Sequence, residues 1–143
     1  MILADVNVLV YAFDEEAQRH TTYRAWLIDA LSHGQPFALV DTVLTGFVRI
    51  VTHARIYERP TPTAEALSFV DALISAPSAV WVQSNRSGWD ALDRLVDGDA
   101  GITGQRVPDA YLAALAIANG ARLATADRGF SRYAGLSWFD PAQ

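Results

Sequence analysis

Apolar positions in this chain come in short blocks whose spacing switches between two periods. Residues 1–4 form an apolar run that reads as a strand and leads straight into Asp5; Asn7 follows, and residues 8–13 continue as an apolar, helix-like run. Residues 14–20 are polar and read as a loop. From 21 to 31, Tyr23, Trp26, Leu27, Ala30 and Leu31 recur at the spacing of one helix face, and Gly34 stops the run. Pro36 leads into a strand candidate ending at Asp41. Residues 42–52 read as a helix with Val43, Leu44, Phe47, Val48 and Val51 on one face, and residues 53–60 as a loop. Thr61 as N-cap and Pro62 in the first helical position predict a further helix to Ala76, ended by Pro77.

The second half repeats the alternation. Residues 79–82 are a third strand, and Ser87 is read as the N-cap of a helix with Asp90 in its first turn and Trp89, Leu92, Leu95 and Val96 along it. Residues 98–104 carry three glycines and read as a mobile loop. Pro108 opens a strong Ala-rich helix closed by Gly120. Residues 121–126 are a fourth strand running into Asp127, residues 128–134 a short turn or helix, and residues 136–139 a fifth, edge strand. Strands alternate with helices throughout, which predicts an α/β fold with a mainly parallel, doubly wound sheet. At 143 residues, without repeat or linker, residues 1–143 read as a single domain.

Composition narrows the chemistry. With no cysteine there is no disulfide framework, thiolate nucleophile or Cys-based zinc site. No basic segment precedes a long apolar run, and no apolar run approaches the ~20 residues of a membrane helix, so a cytoplasmic protein without membrane contact is expected. The formal net charge of −5 argues against a protein that coats nucleic acid passively. It leaves room for an enzyme that meets nucleic acid through metal ions, since bound cations reverse the sign of an acidic site. All 11 basic residues are arginines, which closes any mechanism that needs a lysine.

The chemistry lies in where the acids fall. Asp5 follows the first strand, Asp127 follows the fourth after Thr125, and Asp109 stands in the first turn of the helix leading into that fourth strand. Singly, each has an ordinary role: Asp5 as an N-cap, Asp109 as a partner of the helix dipole, Asp127 as a turn residue before Gly129. Together, with strands one and four as neighbours, they converge on one crevice at the carboxyl ends of the strands, where such sheets bind ligands. Clustered carboxylates call for a hard divalent cation, Mg²⁺ or Mn²⁺, and such a site suits phosphodiester hydrolysis. His20, His33 and His53 lie in separate segments and share no metal-ligand spacing, and the aromatic residues are mostly spaced as core. Trp26, Tyr57 and Phe69 read equally as core or as interface.

At this point the residues resemble a known family. The opening stretch with its Asp5-x-Asn7, the PDAYLAALA helix from Pro108 and the TADRGF run from Thr125 are similar to the signature regions of PIN-domain ribonucleases, specifically VapC-like toxins of type II toxin–antitoxin pairs. The middle segment GFVRIVTHARIYERPTPTAEAL resembles one branch of that group, so the resemblance spans nearly the whole chain. It implies a small three-layer α/β/α fold and a Mg²⁺- or Mn²⁺-dependent endoribonuclease acting on RNA. It further implies a homodimer, and inhibition by a cognate VapB-like antitoxin that occupies the RNA groove. Carried over by motif, Asp5, Asp109 and Asp127 match the acidic metal ligands, and Asn7 and Thr125 match polar positions beside them. Arg49 or Arg128 is a guess for a phosphate contact.

One departure matters. The wider family carries a Glu on the helix after the second strand, where residues 42–52 hold no acid; the equivalent position is Gly46 or Phe47. The similar branch departs here too, so the loss does not read as inactivation, but it points to a single well-held metal. Asp41 is a possible substitute and Asp90 a poorer one. A degenerate PIN domain that binds RNA or protein without catalysis is the alternative reading. Phosphoaspartyl phosphatases and receiver domains also place an Asp after a strand, but they normally use a lysine that this chain lacks.

Overall fold

The computed structural model describes residues 1–143. Five strands, β1 (Ile2–Ala4), β2 (Phe37–Leu39), β3 (Ala79–Trp81), β4 (Arg122–Ala124) and β5 (Trp138–Phe139), form one sheet in the order β3-β2-β1-β4-β5. Every pairing is parallel, with Ile2 beside Phe37 on one side and Arg122 on the other. Six α-helices connect them: α1 (Val6–Phe13), α2 (His20–Ser32), α3 (Asp41–Val51), α4 (Thr63–Ile74), α5 (Arg86–Gly98) and α6 (Val107–Ala118). The chain steps outward from β1 to β3, then jumps back past β1 to β4. Right-handed crossovers put the helices before that jump and the helices that make it on opposite faces. Accordingly α1 packs with α2 and α3, and α3 with α4, while α5 and α6 form their own pair. The reversal falls between β1 and β4, so the crevice of the fold opens where Asp5 and Asp127 emerge.

Local sequence explains how each element is anchored. In α6, Ala110 and the run from Leu112 to Ala116 are all buried, and the small side chains let the helix lie tight on its neighbours. Gly120 (φ +59°) turns the chain out of the helix; its own N–H reaches the Ile117 carbonyl and Ala121 N–H reaches Ala116, a Schellman closure. Phe47, on α3, is completely buried and meets Phe13 of α1 at 5.3 Å and Phe69 of α4 at 4.8 Å between ring centroids. Trp26 of α2 is half-buried and packs against the core beside Phe37 and Phe139.

Three expectations are corrected. Helix α4 begins at Thr63, with Pro62 extended before it (ψ 138°), because Thr61 N–H is tied to the Val51 carbonyl at 2.8 Å and holds the chain open there. Asn85, not Ser87, caps α5: its side chain accepts from Gly88 N–H at 3.2 Å, so the helix starts earlier and Asp90 falls outside the first turn, paired with Arg86 at 2.7 Å. The glycine-rich segment 98–104 is pinned rather than free. Asp99 accepts from Gly101 N–H at 2.8 Å and from Arg132 at 2.7 Å, which holds its carboxyl below the usual range, and Ile102 is buried.

Candidate active site

Asp5 leaves β1 at the position that would cap α1, yet its side chain makes no cap hydrogen bond. Its Oδ2 instead accepts from Asn7 Nδ2 and from Thr125 Oγ1, both at 2.7 Å. Thr125 is fully buried at the end of β4 and its hydroxyl also accepts from the Asp127 N–H at 3.0 Å. Asn7 Oδ1 accepts from Ala126 N–H at 3.2 Å. The two strand ends are therefore laced together side chain to side chain, and Asn7 and Thr125 fix one Asp5 oxygen while the other points free of them. Asp127, at the open edge, accepts from Gly129 N–H at 2.7 Å.

Asp109 reaches the same place from α6. It shares a small cleft of about 140 Å³ with Asp5, whose walls include Val6, Thr42, Pro108 and Tyr111. Burial pushes the Asp5 carboxyl up; the bonds from Thr125 and the Val6 amide pull it back in part, and Asp109 and Asp127 push it up again. Asp109 is likewise raised, first by desolvation and then by Asp127. The three carboxylates thus lie near enough to act on one another. None takes part in any of the chain's three ion pairs. As they stand, the side chains do not close into a three-ligand cage. The donor set is all oxygen, which suits Mg²⁺ or Mn²⁺ and not a softer metal.

Other candidates fall elsewhere. Asp41 and Arg49 line a separate apolar groove between α3 and α4, and Asp41 is not among the charges that act on Asp5. Thr42 and Val43, the next two residues, are the α3 positions that line the cleft. Asp90 is paired with Arg86, while Arg128 stands exposed beside Asp127 without an ion-pair partner. The histidines are local: His20 contacts the Tyr11 carbonyl, His33 pairs with Asp29, and His53 accepts from Arg55 N–H. Of the two positions considered for the missing acid, Phe47 is core, whereas a Cβ at Gly46 would lie 3.1 Å from Val6, the residue after Asp5. Gly46 is therefore the one of the two that lies beside the cleft wall, and Val6 fills the room a side chain there would need. Sequence reasoning missed Tyr111 as a cleft residue; standing two residues after Asp109 on a helix, it has the spacing of a core position.

Comparison with known proteins gives the family and the fold. A PIN domain model matches residues 2–136, and the chain belongs to the PIN-domain family. Within that family it groups with the VapC ribonucleases. It is 40% identical over 141 residues to Ribonuclease VapC43 of Mycobacterium tuberculosis, covering 99% of this chain and 95% of the relative. It is 34% identical over 141 residues to Ribonuclease VapC31 of the same organism, covering 99% of each. Among solved structures, VapBC2 from Rickettsia felis bound to a DNA fragment from their promoter superimposes with a TM-score of 0.72 over 98% of both chains. At 21% identity that likeness speaks for the fold alone.

Proposed function

We propose that this protein is the toxin of a toxin–antitoxin pair, a metal-dependent endoribonuclease that hydrolyses RNA phosphodiester bonds and is restrained by a VapB-like antitoxin. The observation that carries the reading is the set of three carboxylates outside any ion pair, Asp5, Asp109 and Asp127, at the switch point of a PIN-domain sheet. Retention of all three, together with full-length likeness to VapC ribonucleases, favours catalysis over the degenerate binding-module alternative.

In this reading Asp5, Asp109 and Asp127 would hold a Mg²⁺ or Mn²⁺ ion. When bound, the cation supplies Lewis acidity toward water and phosphate oxygens and cancels the repulsion between acidic site and RNA. The protein's part is orientation. Thr125 and Asn7 lock Asp5, and the Gly129 N–H locks Asp127. Such supports typically contribute about 10–100-fold in metal affinity or activity. Gly46 leaves the α3 side without an acid, and this supports a single well-held ion. Calorimetric titration with Mn²⁺ is expected to give one tight site per chain; two tight sites would refute it. Homodimer formation belongs to the same reading, supported by the apolar groove between α3 and α4 where Leu67, Ile74 and Trp81 stand exposed.

Inducing the chain alone in a bacterial host tests toxin function. Growth arrest is expected, with growth restored by Asp127→Asn at equal protein level. Equal growth of both strains, with folded protein present, would contradict the assignment.

A further inference from the structure

Trp89 is the most exposed large apolar side chain of the protein, at 57%. It does not stand alone. Its ring lies 5.1 Å from that of Tyr111, centroid to centroid, at 41°. Tyr111 in turn lines the cleft that holds Asp5 and Asp109, and its hydroxyl is bonded to Ser84, which limits its rotation. Gly88 sits at the contact between the two helices: a Cβ there would lie 3.0 Å from Leu115 Cδ2, so glycine lets α5 pack close on α6 without displacing that side chain.

The substrate class makes sense of this. Single-stranded nucleic acid is held by bases stacked on aromatic rings as well as by cations on phosphates. With a formal net charge of −5 the chain gains little from long-range attraction to phosphates, which leaves more of the binding to base contacts. We propose that the Trp89–Tyr111 pair is a stacking platform for one unpaired base of the RNA, beside the phosphodiester in the Asp5–Asp109 cleft. The proposal rests on the ribonuclease reading and adds to it a base contact that tolerates sequence.

The test measures binding in the full-length Asp127→Asn protein, which does not cut its probe. Two labelled probes are compared by fluorescence anisotropy: a ten-nucleotide oligoadenylate and an abasic ribose-phosphate strand of equal length. The Asp127→Asn protein should bind the oligoadenylate more tightly than the abasic strand. Adding Trp89→Ala should weaken oligoadenylate binding by about tenfold or more and leave the abasic strand unaffected, while Trp89→Phe should restore most of the loss. Equal affinity of the Asp127→Asn protein for both probes would overturn the platform, and so would a Trp89→Ala loss that is the same on both. Either result leaves the nuclease reading standing. Failure of the Asp127→Asn protein to bind the oligoadenylate with Mn²⁺ present would also overturn the platform, while the nuclease reading is decided separately by cleavage of RNA by the unsubstituted protein.

Discussion

Asp5→Asn is expected to lower RNA cleavage by about a hundredfold or more without loss of fold or stability. The substitution is isosteric, and the carbonyl oxygen of the new amide would still accept from Asn7 and Thr125, so the link between β1 and β4 survives. What disappears is a buried negative charge that Asp109 and Asp127 already disfavour. Burying like charges together destabilises a fold. The melting temperature should therefore be unchanged or higher while activity falls. That opposition separates a site residue from a structural one, since a residue retained for packing loses stability when changed. A variant that melts early, or one that cleaves like the parent, would count against the assignment. Both readouts come from one preparation: thermal melting by circular dichroism, and cleavage of RNA with Mn²⁺ present.

Phe47→Ala is expected to cost about 3–5 kcal/mol, the range for removing a fully buried aromatic ring. Phe47 has no exposed surface and holds α3 against α1 and α4 through Phe13 and Phe69. Against a total of about 5–15 kcal/mol for a domain, that is a large part of the stability. The same packing sets Gly46 against Val6 and places Thr42 in the cleft wall, so activity should fall with stability here, unlike at Asp5. Urea denaturation checks the first effect; a loss below about 1 kcal/mol would show that the aromatic cluster does not clamp these helices.

The acids were legible in the sequence because each is announced by its neighbours. Asp5 and Asp127 follow apolar strand runs, and Pro108 marks the helix start that places Asp109. Strand order did the rest: once β4 pairs with β1, the two strand-end acids must meet. The α5 face was not legible. Spacing of large apolar residues puts Trp89, Leu92 and Val96 on one side, but the buried face is Gly88, Ala91, Leu92 and Leu95. Small residues carry half of that face, and a count of large hydrophobics passes over them, so the run of Trp89, Leu92, Leu95 and Val96 does not show which of them stand in solvent. The α5 cap was missed for a similar reason. Asn85 and Ser87 are equally good cap residues by type, and only the Asn85–Gly88 hydrogen bond distinguishes them. Asp41 failed as a substitute acid because its position at the end of β2 is right while its side chain lines the neighbouring groove.

The central claim is that Asp5, Asp109 and Asp127 form one metal-dependent site for cutting RNA. Incubating total cellular RNA with the purified protein tests it most directly, in three samples: Mn²⁺, Mn²⁺ with excess EDTA, and Asp109→Asn with Mn²⁺. Discrete fragments in the first sample and intact RNA in the other two are the predicted result. Equal fragmentation in the EDTA or the Asp109→Asn sample would contradict it.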